Sequence, residues 1–198
     1  MHPRRINIAE DNSCMFNAVH YLMNNETPQE LRQIVASIIL SKPHIYTKVY
    51  LGKDVDSYIE DIMSPDQWGG AIDLQIIAEY YKTEIAAFNI ENGKPVVYGE
   101  GRDFPNRIYL IYNGIHYDSL VIEFGKDFEA LRIFSSQEME YFELFRDLTA
   151  LYTEKGDYIN LNKFSTQCQT CLKKLLNSKD IQEHATKTGH TDFKEVRN

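Results

Sequence analysis

Asp11-Asn12-Ser13-Cys14-Met15-Phe16 is the stretch that decides how this chain reads. Three polar residues make a turn, and Met15, Phe16, Val19 and Leu22 then recur at helical spacing, which places Cys14 at the first residue of a helix. A thiol is a nucleophile only as thiolate, and the unpaired N–H groups at a helix N-terminus favour that negative charge. The turn ahead of Cys14 can also aim backbone N–H groups at an oxyanion developing in acyl transfer. Spacing alone leaves the commoner explanation open, that Cys14 is a small buried hydrophobe.

Working outward, Thr27-Pro28-Gln29-Glu30 reads as an N-cap, a proline at the first helical position and a capping-box glutamate. The helix it opens carries Leu31, Ile34, Val35, Ile38 and Ile39, and Pro43 stops it. Further helices are expected over 55–63, ended by Ser64-Pro65, and over 71–81, opened by the turn Trp68-Gly69-Gly70. The pattern then changes to β-branched and aromatic runs at 84–90, 95–98, 107–112 and 117–124, separated by Asn92-Gly93, Gly99 to Gly101 and Asn113-Gly114. Helices first and hairpin-linked strands second predict an α+β arrangement. Residues 137–155 return to helical spacing, and a polar tail runs from Asn160 to Asn198. The first ten residues are too few for a domain. The expected organisation is therefore a main domain over 1–135, a connecting helix over 136–160 and a small module over 161–198.

A chain of 198 residues that is 43% hydrophobic can bury one full core and little more. Its net charge of −8 argues against a general nucleic-acid binder, which needs a basic face to neutralise phosphate. The three cysteines, an odd number, point to a reducing compartment, not a disulfide scaffold, and no apolar run of eighteen residues predicts a membrane span.

A nucleophilic cysteine needs a base. Of the six histidines, His116 stands apart because it follows the Asn113-Gly114 turn and precedes a strand, with Asp118 two residues on. Residues i and i+2 share a strand face, so Asp118 can accept from the imidazole and hold its tautomer. Alone, such a His-x-Asp is weak evidence. The other two cysteines fall in Cys168-x2-Cys171-x12-His184-x5-His190, the spacing of a tetrahedral Cys2His2 zinc site. Leu175 and Ile181 occupy the miniature core of such a finger, 179–187 is the expected helix, and Gly189 lets His190 turn back to the metal.

Three separated motifs together resemble the ovarian-tumour (OTU) family of cysteine deubiquitinases. They are Asp11 to Phe16, Trp68-Gly69-Gly70-Ala71-Ile72-Asp73-Leu74, and Leu110-Ile111-Tyr112-Asn113-Gly114-Ile115-His116-Tyr117-Asp118. The likeness continues through Ile133-Phe134-Ser135-Ser136 to Glu183-His184-Ala185 and Thr188-Gly189-His190-Thr191, as in the branch of the family that ends in a Cys2His2 finger. It implies a papain-like core with helices on a small, mainly antiparallel sheet. Cys14 is the implied nucleophile, His116 the base, Asp118 its orienter, and Asp11 a fourth catalytic position that shapes the cysteine loop. Trp68, Gly69 and Gly70 would serve packing and turn geometry. The implied substrates are isopeptide and thioester bonds at the C-terminal glycine of ubiquitin and polyubiquitin, cut without a metal, with a structural zinc on Cys168, Cys171, His184 and His190. The chain departs from the pattern at Ala9, Glu10, Asp73 and Asn113, where Pro, Asp, Glu and Asp are expected. Members of that branch act with the valosin-containing AAA ATPase through an N-terminal ubiquitin-like domain; this chain begins at the catalytic domain, which argues against that partner. Cytoplasmic and nuclear placement is expected. A different reading, an inactive ubiquitin-binding adaptor, is opposed by the intact Cys14, His116 and Asp118; a nucleic-acid-binding finger is opposed by the charge.

Overall fold

The architecture follows from local chemistry at the helix ends. Thr27 caps α2 (Pro28–Ser41): its side chain accepts from the Glu30 N–H, and the Glu30 carboxylate reaches back to the Thr27 N–H at 2.7 Å, the expected capping box. α1 (Cys14–Met23) ends on Asn24 in the left-handed region, α4 (Val55–Met63) ends at Ser64, and α5 (Ala71–Tyr81) follows the glycine turn. A short α3 (Lys48–Leu51) lies between α2 and α4 and carries too few residues to show a period in sequence.

These elements come from a computed structural model, which describes residues 1–125, 128–158, 164–175, 180, 184, 187–190 and 192–197. The chain forms two compact units, Met1–Asp157 and Tyr158–Asn198.

The first unit is built on a six-stranded sheet. Along it, β1 (His2–Ile6), β5 (Tyr117–Glu123), β4 (Asn106–Tyr112), β2 (Thr83–Asn89) and β3 (Pro95–Tyr98) are neighbours in that order, and β6 (Phe134–Ser135) also pairs with β4. The expected α+β character holds, and most pairings are antiparallel, but the central β2–β4 pair is parallel, with Glu84 opposite Arg107. In β2, Ile85 and Ala87 join the core on one face, and in β4 and β5 so do Ile108, Leu110 and Val121; α1, α2 and α5 cover that face with Met15, Phe16, Val19, Leu31, Val35, Leu74 and Ile77. Each of these side chains larger than Ala87, fully buried, contributes about 1.5–3 kcal/mol.

The alternate residues Phe88 and Tyr109 point to the opposite face, and there α6 (Met139–Lys155) packs. Phe145 of α6 lies 4.6 Å from the Tyr109 ring, and Phe134 lies 4.8 Å from Tyr141. The segment expected to be a connecting helix is thus a third layer of the first unit, because its aromatic stripe has a sheet face to bury.

In the second unit β7 (Phe164–Cys168) is flanked by β8 (Lys174–Leu175) and β9 (Phe193–Arg197), both antiparallel to it. Leu175 is buried there as expected. Asp180, His184 and Lys187 of the expected finger helix are helical. Lys179, Ile181, Glu183, Ala185 and Thr191 lie outside the described residues, as does Asn160. Among the described residues no helix is long and apolar enough to cross a membrane.

If α6 belongs to the core, Phe145→Ala removes a fully buried ring and destabilises the first unit by about 3–5 kcal/mol in urea unfolding. An unchanged midpoint would mean that α6 is only a connector.

Candidate active site

Cys14 opens α1, as expected, and is 7% exposed. Asp11 organises the loop before it. Asp11 Oδ1 accepts from the Ser13 N–H at 2.8 Å, and its two carboxylate oxygens take the Asn17 amide at 3.0 and 2.9 Å. The Cys14 N–H turns to the Asp11 carbonyl at 3.3 Å. The Ser13 amide, one of those expected to face an oxyanion, is therefore occupied by Asp11 itself, and so is that of Cys14. Burial pushes the Cys14 thiol up from its ordinary value; the backbone N–H groups of Tyr117 and Met15 oppose it, while the charges of Asp11 and Asp118 add to it. The helix N-terminus does not by itself make a thiolate here, so the proton needs a base.

That base lies beside Tyr117. Asn113 Oδ1 accepts from the Ile115 N–H (3.1 Å) and the His116 N–H (2.9 Å), which folds the loop tightly; an aspartate oxygen could do the same, so the departure at this position costs nothing in geometry. His116 Nε2 is 3.1 Å from Asp118 Oδ1. This engagement leaves Nδ1 as the ring nitrogen free to act on a thiol.

Asp118 is 3% exposed and fully engaged. Its Oδ1 also accepts from the Ile8 N–H at 2.7 Å, and its Oδ2 from Arg5 Nε at 2.7 Å. Arg5 Nη1 continues to Asp157 Oδ2 at 2.7 Å. Strand β1, which supplies Arg5, is absent from the sequence reading. His2-Pro3-Arg4-Arg5-Ile6 has no apolar run, and its proline is tolerable only because β1 is an edge strand.

A second residue missed in the sequence is Arg32. It is fully buried within α2, donating to the carbonyls of Ile62 (2.9 Å), Gln67 (2.7 Å) and Asn12 (3.3 Å) and to Ser13 Oγ (2.9 Å), with its guanidinium 4.3 Å over the Phe16 ring. One side chain thus joins the cysteine loop to the Trp68 turn. The signal was there: an arginine flanked by Leu31, Ile34 and Val35 inside an apolar stripe.

At that turn Trp68 Nε1 donates to Asn12 Oδ1 at 2.7 Å, which leaves the Asn12 amide N–H groups as donors at the cleft rim. A Cβ on Gly69 would sit 2.3 Å from Met15 Cε and 2.8 Å from Phe16 Cε2, so the position needs glycine for close approach. Asp73 caps the Gly70 N–H and accepts from the Tyr58 hydroxyl, at 2.7 and 2.8 Å; burial pushes its carboxyl up.

Cys14 opens into a cleft of about 240 Å³ lined by Asn12, Met15, Trp68, Gly69, Gly70, Ala71, Tyr112, Ile115 and Tyr117. His116 and Asp118 line an adjoining polar cleft of about 340 Å³ with Arg5, Asn7, Ile8, Glu10, Asn113, Tyr152 and Asp157.

In the second unit Cys168, Cys171, His184 and His190 converge, with one donor atom from each lying within 4.8 Å of all the others. Cys171 Sγ is 3.4 Å from His184 Nε2, and Cys168 Sγ is 3.6 Å from His190 Nδ1. Ordinary Zn–S and Zn–N lengths at tetrahedral angles give an S···N edge of about 3.6 Å, so the donor set fits zinc.

Residues 9–122 match the OTU-like cysteine protease family. The chain belongs to that family. Residues 162–196 of this OTU chain match a second family, described as the C-terminal C2H2-type zinc finger of Ubiquitin thioesterase OTU1. Over 98% of its length the chain is 36% identical to the Arabidopsis thaliana OVARIAN TUMOR DOMAIN-containing deubiquitinating enzyme 2, covering 97% of that relative. It is 38% identical to Ubiquitin thioesterase OTU1 of Dictyostelium discoideum and 34% identical to that of Homo sapiens, but spans only 60% and 56% of their lengths. Among solved structures, an OTU domain in complex with ubiquitin matches with a TM-score of 0.71 at 27% identity, over 79% of this chain and 90% of that one.

Arg32→Met would leave three carbonyls without their donor, and the expected cost is about 3 kcal/mol or more in urea unfolding. A loss below about 0.5 kcal/mol would place Arg32 among surface-like positions.

Proposed function

We propose that the chain is a ubiquitin-specific thiol isopeptidase, with Cys14 as nucleophile, His116 as general base and acid, and Asp118 as its orienter. The observation that carries this reading is a cysteine at a helix start, in a cleft walled by the residues on either side of a histidine whose Nε2 is tied to a buried carboxylate. The name of the Arabidopsis relative, which the chain covers almost end to end, supports the same substrate class.

The steps follow from the geometry. His116 Nδ1 takes the Cys14 proton, and the sulfur attacks the carbonyl carbon of ubiquitin's terminal glycine. The oxyanion forms beside the Asn12 amide, a donor already turned by Trp68. Collapse expels the lysine amine with the proton held by His116, leaving a thioester. Water then attacks the thioester, His116 takes its proton, and the glycine carboxylate leaves as the thiol re-forms. Ubiquitin's tail ends in two glycines, and the 240 Å³ cleft, narrowed by Trp68, Tyr112 and Tyr117, suits a chain without side chains. Asp11 acts through the loop, by holding Ser13 and Asn17.

The finger residues would hold a zinc that supplies a tetrahedral crosslink between β7, the following turn and the helical positions; no chemical step needs it. Trimming of ubiquitin chains in protein quality control, in cytoplasm and nucleus, fits this activity.

Incubation with ubiquitin bearing a thiol-reactive C-terminal warhead tests the reading. One adduct on the Cys14 peptide is expected, lost in Cys14→Ala; a folded protein that stays unlabelled leaves the adaptor reading in its place. His116→Ala should lower kcat by about 10²–10⁴-fold. Native mass spectrometry should find a single zinc, absent in Cys168→Ser, and activity on a small ubiquitin ester should survive that loss; zinc retained in the variant would refute the ligand set.

A further inference from the structure

We infer that Arg5 is a positioning residue for the thiol chemistry, fixing Asp118 and through it His116, and that Asp157 in turn holds Arg5. This rests on the roles given to Cys14 and His116 above.

The two arginines of β1 make the contrast. Arg4 faces outward and pairs with Glu123, with both side chains well exposed, at 59% and 36%, an arrangement worth little in water. Arg5, one residue on, faces the other way. Its side chain is 14% exposed and that of Asp118 is 4%, so their pairing is only weakly screened.

Geometry gives the contact a specific effect. Both the His116 and the Ile8 bonds fall on Oδ1 of Asp118, which leaves Oδ2 to Arg5. Arg5 Nε on Oδ2 adds a charge-assisted bond that anchors the second oxygen, so the carboxylate is held at both ends against rotation. Arg5 is itself held at both ends of its fork, by Asp118 and Asp157, with Tyr152 under the guanidinium at 4.9 Å. Burial opposes its charge, and the two carboxylates more than restore it. The relay runs from Asp157 to Arg5, to Asp118 and to the imidazole.

Charge gives a second effect. Glu10 lines the same cleft, Asp11 and Asp118 act on Cys14, and Asp157 closes the far end, so acids face the His116–Cys14 pair from the β1 loop, the α1 loop, β5 and the end of α6. Arg5 is the permanent cation on the Asp118 side, as Arg32 of α2 is behind the cysteine loop. Without Arg5 the negative charge around the pair is no longer offset from this side, and the acid side of the activity profile moves upward.

The test uses the full chain and Arg5→Met, Arg5→Lys, Asp157→Asn and, as a matched control on the same strand, Arg4→Met. Two readouts are taken against pH: kcat and KM on ubiquitin carrying a C-terminal aminocoumarin, and the rate of Cys14 alkylation by iodoacetamide, followed by peptide mass spectrometry. Arg5→Met is expected to lower kcat on the order of 100-fold with KM little changed. It should also move the acid limb up by about one pH unit in both profiles. Arg5→Lys keeps the charge without the fork and should restore the limb but only part of kcat; Asp157→Asn should lose several-fold, and Arg4→Met nothing. Wild-type profiles in a folded Arg5→Met protein would overturn the inference. Should that variant not fold, wild-type kcat in both Arg5→Lys and Asp157→Asn would do so. If the wild type cannot cleave ubiquitin but its alkylation limb still moves with Arg5, the isopeptidase reading fails and the positioning role stands.

Discussion

A carboxylate withdrawn from water must be met by donors on every side, or it costs several kilocalories per mole to bury. Asp118 meets this demand with three: the Ile8 amide, the Arg5 guanidinium and the His116 ring. These partners come from β1, from the chain just after it, and from the loop before β5. Satisfying one buried group therefore sets the register of the edge strand, orients the imidazole and, through Arg5, brings in the end of α6. The same constraint that stabilises the sheet edge also prepares the site.

Arg32 plays the corresponding part on the other wall. It replaces water for carbonyls of the cysteine loop and the Trp68 turn, so neither segment can move without leaving a buried polar group unmet. Gly69 completes the wall by letting backbone rest against Met15 and Phe16. Cys14 is then carried on a fixed loop into a narrow cleft. Its own acidity works against it, since burial and two nearby acids favour the thiol, and for that reason the geometry of His116 matters more here than the helix start.

What was legible in the sequence was whatever depends on neighbours along the chain. Thr27 and Glu30 cap α2 as their spacing says, α4 spans the expected 55–63, and His116 and Asp118 meet because strand geometry puts i and i+2 on one face. The illegible parts depend on residues far apart. The strand β1 is polar and proline-bearing, and it is a strand only because β5 lies beside it. The parallel pairing of β2 with β4 is set by which faces must be covered, not by the turns between them. The aromatic stripe of α6 was visible, but its partner surface, Phe88, Tyr109 and Phe134, appears only once the sheet is assembled. Arg5 and Arg32 share this character: each is an ordinary arginine in sequence and becomes a fixed donor only through contacts nineteen or more residues away.

The central claim is that Asp118 holds the imidazole by Nε2 and so frees Nδ1 for the thiol. Nitrogen-15 NMR of the His116 ring, at a pH where the ring is neutral, reads this directly. A single tautomer with its proton on Nε2 is the predicted result, and a ring protonated on Nδ1, or one averaging between the two, would contradict the account.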